Sequence, residues 1–149
     1  MNATRSGGAT WTNATALALR AALGGLFVVS GALKIADAPG FAVAVFRYDL
    51  LPDGAINAVA VFLPWLELLA GAAFLGAPRL RRGAWAWIVV LLATFTAAMV
   101  AARLRGMDIP CGCWDPSLDD RIGAGTIGRN VALLAAAGAW RWLEPRAES

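Results

Sequence analysis

The sequence predicts an all-α integral membrane protein: a bundle of four spanning helices, both termini in the cytoplasm, with a cysteine-bearing loop between the third and fourth. Three observations lead there. Of 149 residues, 59% are apolar and only 15% charged, where a soluble domain lies nearer about 45–50% and about 25%. The apolar residues gather into four blocks, each of roughly 20 residues or more, and at ~1.5 Å per residue each crosses a ~30 Å hydrocarbon core. Finally, the chain has no histidine and two cysteines, and one residue separates Cys111 from Cys113. The composition excludes a soluble enzyme, a disordered tail and a disulfide-rich secreted domain. Without histidine there is no His-ligated haem, no His-based zinc site and no Ser–His or Cys–His catalysis.

The first block covers residues 13–36. It is too long for a signal-peptide core and lacks a convincing cleavage site, so it reads as a retained helix. The others cover 55–77, 83–102 and 122–143. Backbone in lipid has no outside hydrogen-bond partner, so each must be helical. The 16 glycines suit helices that approach closely without a hydrophobic driving force. Residues 40–48 (GFAVAVFRY) fit a short interfacial helix, although the pattern is brief.

Four spans place both termini on one side, together with the loop that carries Arg79, Arg81 and Arg82. Basic residues outside the spans are nearly balanced between the two sides, and this dense short loop tips the orientation towards cytoplasmic termini. The net charge of +3 is thus a matter of topology. No basic stripe with interleaved aromatics points to nucleic acid. Trp11, Trp85, Trp87, Trp140 and Trp142 fall on the terminal side as an aromatic belt. The location expected is the inner (plasma) membrane, multi-pass, with the lipid bilayer as first partner.

Polar residues inside the spans are costly and face the interior in pairs. Arg20, Gly24, Phe27, Gly31 and Lys34 step by four and three along one stripe. Rise arithmetic puts Glu67 about 15 Å and Arg20 about 10 Å from the cytoplasmic ends of their helices, so an Arg20–Glu67 pair is feasible. Lys34 and Arg129 sit nearer the outer face. They serve either as structural glue or to steady a thiolate or a reduced quinone head group. Pro64 reads as a kink that neighbouring helices heal.

The loop after the third span reads RLRGMDIPCGCWDPSLDDR, residues 103–121. Disulfides want Cα atoms ~4.4–6.8 Å apart, and an i, i+2 pair enters that range in a turn. Gly112 permits such a turn, and Pro110 stiffens the approach. Closing so short a loop is worth about 1.6 kcal/mol of chain entropy before strain, so a Cys111–Cys113 bridge is a poor staple. It suits an easily reduced couple, placed by the topology on the oxidising side, where disulfides persist. Two free thiols remain an alternative. Half of a soft-metal site is another, but with only Met107 nearby too few ligands are present, and no metal is expected.

Several stretches resemble the MauE/DoxX family of redox-associated membrane proteins: SGALKIAD (30–37), LPWLELLAG (63–71), GMDIPCGC (106–113) and RNVALL (129–134). With Arg20 and YDLLP (48–52) they run in order over nearly the whole chain, and the Cys-Gly-Cys loop points to the MauE branch. The family usually continues Cys-Gly-Cys-Phe-Gly, whereas this chain has Trp114-Asp115. Trp114 keeps the aromatic, and loss of the glycine alters the turn. The resemblance implies a four-helix bundle related to quinone-linked thiol oxidoreductases such as DsbB and vitamin K epoxide reductase. It further implies disulfide supply outside the cytoplasm beside a thioredoxin-like partner. DsbB-like enzymes carry two cysteine pairs and this chain carries one, so a relay uses that pair directly or borrows another.

The leading expectation is a membrane thiol–disulfide oxidoreductase. Cys111 and Cys113 are catalytic, with Pro110, Gly112, Trp114, Lys34 and Arg129 in support. It exchanges electrons with an extracytoplasmic thioredoxin-like or client protein and with membrane quinone, for which Phe62, Trp65 and Glu67 are the candidate lining. Two alternatives are a non-catalytic accessory subunit of a larger membrane complex and a small proton-coupled transporter using Glu67.

Overall fold

The computed structural model describes residues 3–107, 109 and 122–144, with side chains from residue 11 onward. Among them are five helices: α1 (Ala3–Ala36), α2 (Ala38–Arg47), α3 (Asp53–Gly76), α4 (Arg81–Leu104) and α5 (Ala124–Leu143). The long helices lie over the four apolar blocks, and the short α2 occupies the segment after the first.

Three of the long helices are apolar enough to cross a bilayer: 11–36 of α1, α3 and α4. Only about a third of each such window is buried within the protein. Val29, Val61, Phe62, Leu69, Trp87 and Val90 all point outward. A helix apolar on every side needs apolar surroundings on every side, and lipid supplies them. α5 is more polar, with Arg129, Asn130 and Arg141 along its 20 residues.

Local chemistry sets the helix ends. Asp37 breaks α1 from α2: its carboxylate Oδ1 accepts the Gly40 N–H at 3.0 Å, an N-cap with proline in the first turn. A Cβ at residue 40 would strike that carboxylate. α4 ends in a Schellman motif. The Met107 N–H reaches the Ala102 carbonyl and the Gly106 N–H the Arg103 carbonyl, with Gly106 at φ 71°. At the start of α5 the Thr126 hydroxyl accepts the Gly123 N–H at 2.9 Å.

The α1–α3 contact is the closest in the bundle. A Cβ on Gly31 would lie 2.7 Å from the Pro64 carbonyl oxygen and 2.8 Å from the Leu68 nitrogen; on Gly71, 2.8 Å from the Gly24 carbonyl oxygen. Glycines let the two backbones touch. They also set an antiparallel register in which Gly31 faces residues 64–68 and Gly24 faces 71–75. A core of Leu23, Phe27, Phe74, Ile88, Leu92 and Trp140 fills one end. There Phe74 meets Trp140 edge to face, with ring centroids 4.6 Å apart.

That core corrects the aromatic belt. Trp11, Trp87 and Trp142 are exposed, but Trp140 is buried, and the Trp85 indole N–H donates to the Ala137 carbonyl at 2.9 Å. A large ring with one donor fills an interhelical gap when a carbonyl lies within reach.

Candidate functional site

Lys34 is in the last turn of α1 and Glu67 is near the middle of α3. Both side chains are 1% exposed. The Lys34 Nζ donates to both carboxylate oxygens of Glu67, at 2.7 and 2.9 Å. The Ser30 hydroxyl, one turn back along α1, donates to Glu67 Oε2 at 3.2 Å. The ammonium also lies 5.2 Å from the Phe41 ring centroid and 4.9 Å from that of Phe95, cation–π geometry in both cases. Residues from four helices, and the 30–37 and 63–71 stretches, therefore converge on one buried charge pair.

This pair replaces the Arg20–Glu67 pairing expected from rise arithmetic. The register makes the difference. Gly24 facing 71–75 puts Arg20 beyond the end of α3, roughly ten residues or ~15 Å from Glu67. Side chains on a helix lean towards its N-terminus, which carries Lys34 inward to Glu67 and Arg20 away from it. Arg20 is half-buried, and its Nε has no hydrogen-bond partner among the described residues.

The candidate quinone lining does not assemble either. Phe62 and Trp65 are 73% and 51% exposed on the outer face of α3, while Glu67 points inward. At 3.6 residues per turn, 62 and 65 share one face and 67 lies on another.

Two cavities flank the ion pair. One, of about 20 Å³, is bounded by Ser30, Glu67, Phe95 and Asn130 and has room for a single water. The other, of about 460 Å³, lies between α2, α3 and α4, with Lys34, Phe41, Tyr48, Leu63, Phe95 and Ala98 in its wall. It exists because Ala44, Ala97, Ala98 and Ala101 stand where larger side chains would fill it. Burial raises the Tyr48 phenol to about 12, since the charged form is the one desolvation disfavours.

Tyr48, Met107, Ile109 and Ile127 also pack around a second buried cluster of Met99, Ala102 and Ile122. The Arg105 guanidinium donates to the Asp49 carbonyl at 3.0 Å, which fastens the end of α4 to the α2–α3 connection. The Ile122 N–H donates to the Ile109 carbonyl at 3.1 Å, so the two stems of the cysteine loop are joined beside Tyr48. Pro110, Cys111, Gly112, Cys113 and Trp114 lie outside the described residues. Arg129 is half-buried in α5, next to Asn130 of the small cavity.

Ser30, Phe41 and Phe95 were not singled out from the sequence. Only Ser30 left a signal, sitting four residues before Lys34 and hence on its face.

Long apolar helices around a desolvated ion pair define an all-helical membrane protein with a polar centre. The chain belongs to the MauE family: the family model for methylamine utilisation protein MauE matches residues 12–143. Methylamine utilization protein MauE of Paracoccus versutus is 38% identical over 121 residues. The proteins of the same name from Paracoccus denitrificans and Methylorubrum extorquens are 33% and 30% identical. The matches to the two Paracoccus proteins cover 80% of this chain and 64% of theirs. No solved structure matches.

Proposed function

We propose that this chain is a thiol–disulfide exchange protein of the inner membrane, with the Cys111–Cys113 pair on the extracytoplasmic side and both termini in the cytoplasm. In this reading a partner thiolate attacks the bridge, one sulfur of the chain enters a mixed disulfide and the other leaves as a thiolate. A second thiolate of the partner then resolves the mixed disulfide, so the partner is oxidised and Cys111 and Cys113 are reduced. Membrane quinone is the carrier that takes the electron pair onward. The partner is a thioredoxin-like or client protein, and the names of the relatives suggest a client in methylamine utilisation.

The observation that carries the reading is the support given to the loop. A Cys-Gly-Cys bridge is a weak staple, yet its stems are tied by the Ile109–Ile122 hydrogen bond and anchored on the Tyr48 cluster. A transporter reading fits less well, because the Glu67 carboxylate is already held by Lys34 and Ser30. Single Cys111→Ser and Cys113→Ser variants test the exchange. At least one is expected to accumulate a mixed disulfide with a partner, seen as a reductant-sensitive adduct. If neither captures a partner and the wild-type thiols resist oxidation, exchange is refuted. Unchanged complex assembly and activity in the double variant would favour a non-catalytic accessory subunit instead.

A further inference from the structure

The large cavity is bounded almost wholly by carbon, with one charged group, Lys34, in its wall. An ammonium has three N–H donors. Two are directed to Glu67, and Phe41 and Phe95 frame the nitrogen on the cavity side. A volume of about 460 Å³ falls within the ~300–1,000 Å³ usual for small-molecule sites. Leu50 and Leu51, which are exposed, belong to the wall, so a lipid-soluble molecule has a way in that is apolar throughout.

The charge balance selects the occupant. A fatty acid or phospholipid head would bring a second anion to an ammonium that Glu67 already neutralises, and an uncompensated charge in such a place is expensive. A neutral carbonyl oxygen adds an acceptor without adding charge. The two phenyl rings at the ammonium present flat faces, suited to a flat ring.

From this we infer that the cavity between α2, α3 and α4 is a binding site for a neutral quinone-class molecule. Its ring lies between Phe41 and Phe95, and a carbonyl oxygen accepts the remaining Lys34 N–H. The inference rests on the exchange reading for its electron source alone. Two Cys111/Cys113 thiols become one disulfide and release two electrons and two protons, and the bound ring takes up all four to become the hydroquinone. Tyr48 lies in the cavity wall and packs on the same hydrophobic cluster as Ile109 and Ile122, the stems of the cysteine loop, so site and loop are neighbours.

The probe is a short-tailed benzoquinone carrying a photoreactive group, added to the full chain in lipid nanodiscs and mapped by mass spectrometry. An alkylbenzene with the same tail and photoreactive group, but no carbonyl, is the comparison. Labels are expected on α2 between Phe41 and Tyr48 and on α4 between Phe95 and Ala101. The alkylbenzene should label these at least tenfold less. Ala98→Phe, which fills the cavity, should cut quinone labelling at least tenfold while leaving helicity and melting near wild type. Lys34→Met combined with Glu67→Leu removes both charges at once and should abolish the preference for quinone over alkylbenzene. Labels scattered over the lipid-facing surface, indifferent to Ala98→Phe or equal for both probes, would overturn the site. The double Cys→Ser variant keeps the two ideas apart. It should label as wild type does, because the site needs no cysteine; if the wild-type chain labels at the site while its cysteines never exchange disulfides with a partner, the exchange reading is refuted and the site stands.

Discussion

Lys34→Met leaves the Glu67 carboxylate 99% enclosed with only Ser30 to bond it, because its two shortest contacts, 2.7 and 2.9 Å, vanish together. Removing one partner of a buried pair costs about 3–5 kcal/mol, whereas replacing both by apolar residues of similar volume is often neutral or better. Glu67→Leu alone should therefore cost a similar amount by stranding the ammonium. The double variant should recover most of either loss, so that the coupling comes to several kcal/mol. Reversible unfolding in mixed detergent micelles, followed by tryptophan fluorescence, measures all three. Arg20→Met gives the contrast. Its effect should add to that of Glu67→Leu within about 0.3–0.5 kcal/mol, as for distant sites. The reasoning fails if Lys34→Met costs under about 1 kcal/mol, well below the range for a broken buried pair, or if Glu67 couples to Arg20 instead.

Two further outcomes follow from the packing and from Tyr48. Gly31→Ala sets a methyl 2.7 Å from the Pro64 carbonyl oxygen, a backbone atom that cannot turn aside, and should destabilise by about 1–3 kcal/mol. Gly25→Ala meets nothing within 4 Å and should be neutral or slightly stabilising, as alanine is the better helix former; thermal melts of the two variants check this. Tyr48 is the chain's one tyrosine, so its tyrosinate absorbance reports a single group. It should titrate near 12 when folded and near 10 when unfolded. Because the folded state holds this proton more tightly, its contribution to stability is complete below about pH 10 and is lost as pH rises towards 12. Titration of the folded chain near pH 10 would show that Tyr48 is not buried as described.

Local features follow from the order of residues alone: helices, where they stop, and the surroundings they need. Uninterrupted apolar blocks allow only helix in lipid, Asp37 followed by Pro39 and Gly40 ends one helix and starts the next, and Gly106 closes α4 because it can adopt positive φ. Sequence also marked Lys34 and Glu67 as interior charges, since charge at that depth must find a partner. Which partner was a question for the tertiary structure. The answer depends on how far two antiparallel helices slide along each other, and backbone contacts at Gly24, Gly31 and Gly71 set that slide, between residues some forty positions apart. Handing Glu67 to Arg20 instead would take a slide of nearly three turns, about 15 Å. The same register turns Phe62 and Trp65 outward and leaves a void beside Lys34 where alanines of α2 and α4 meet. No local pattern encodes an empty space, because it arises only from what several helices together fail to fill.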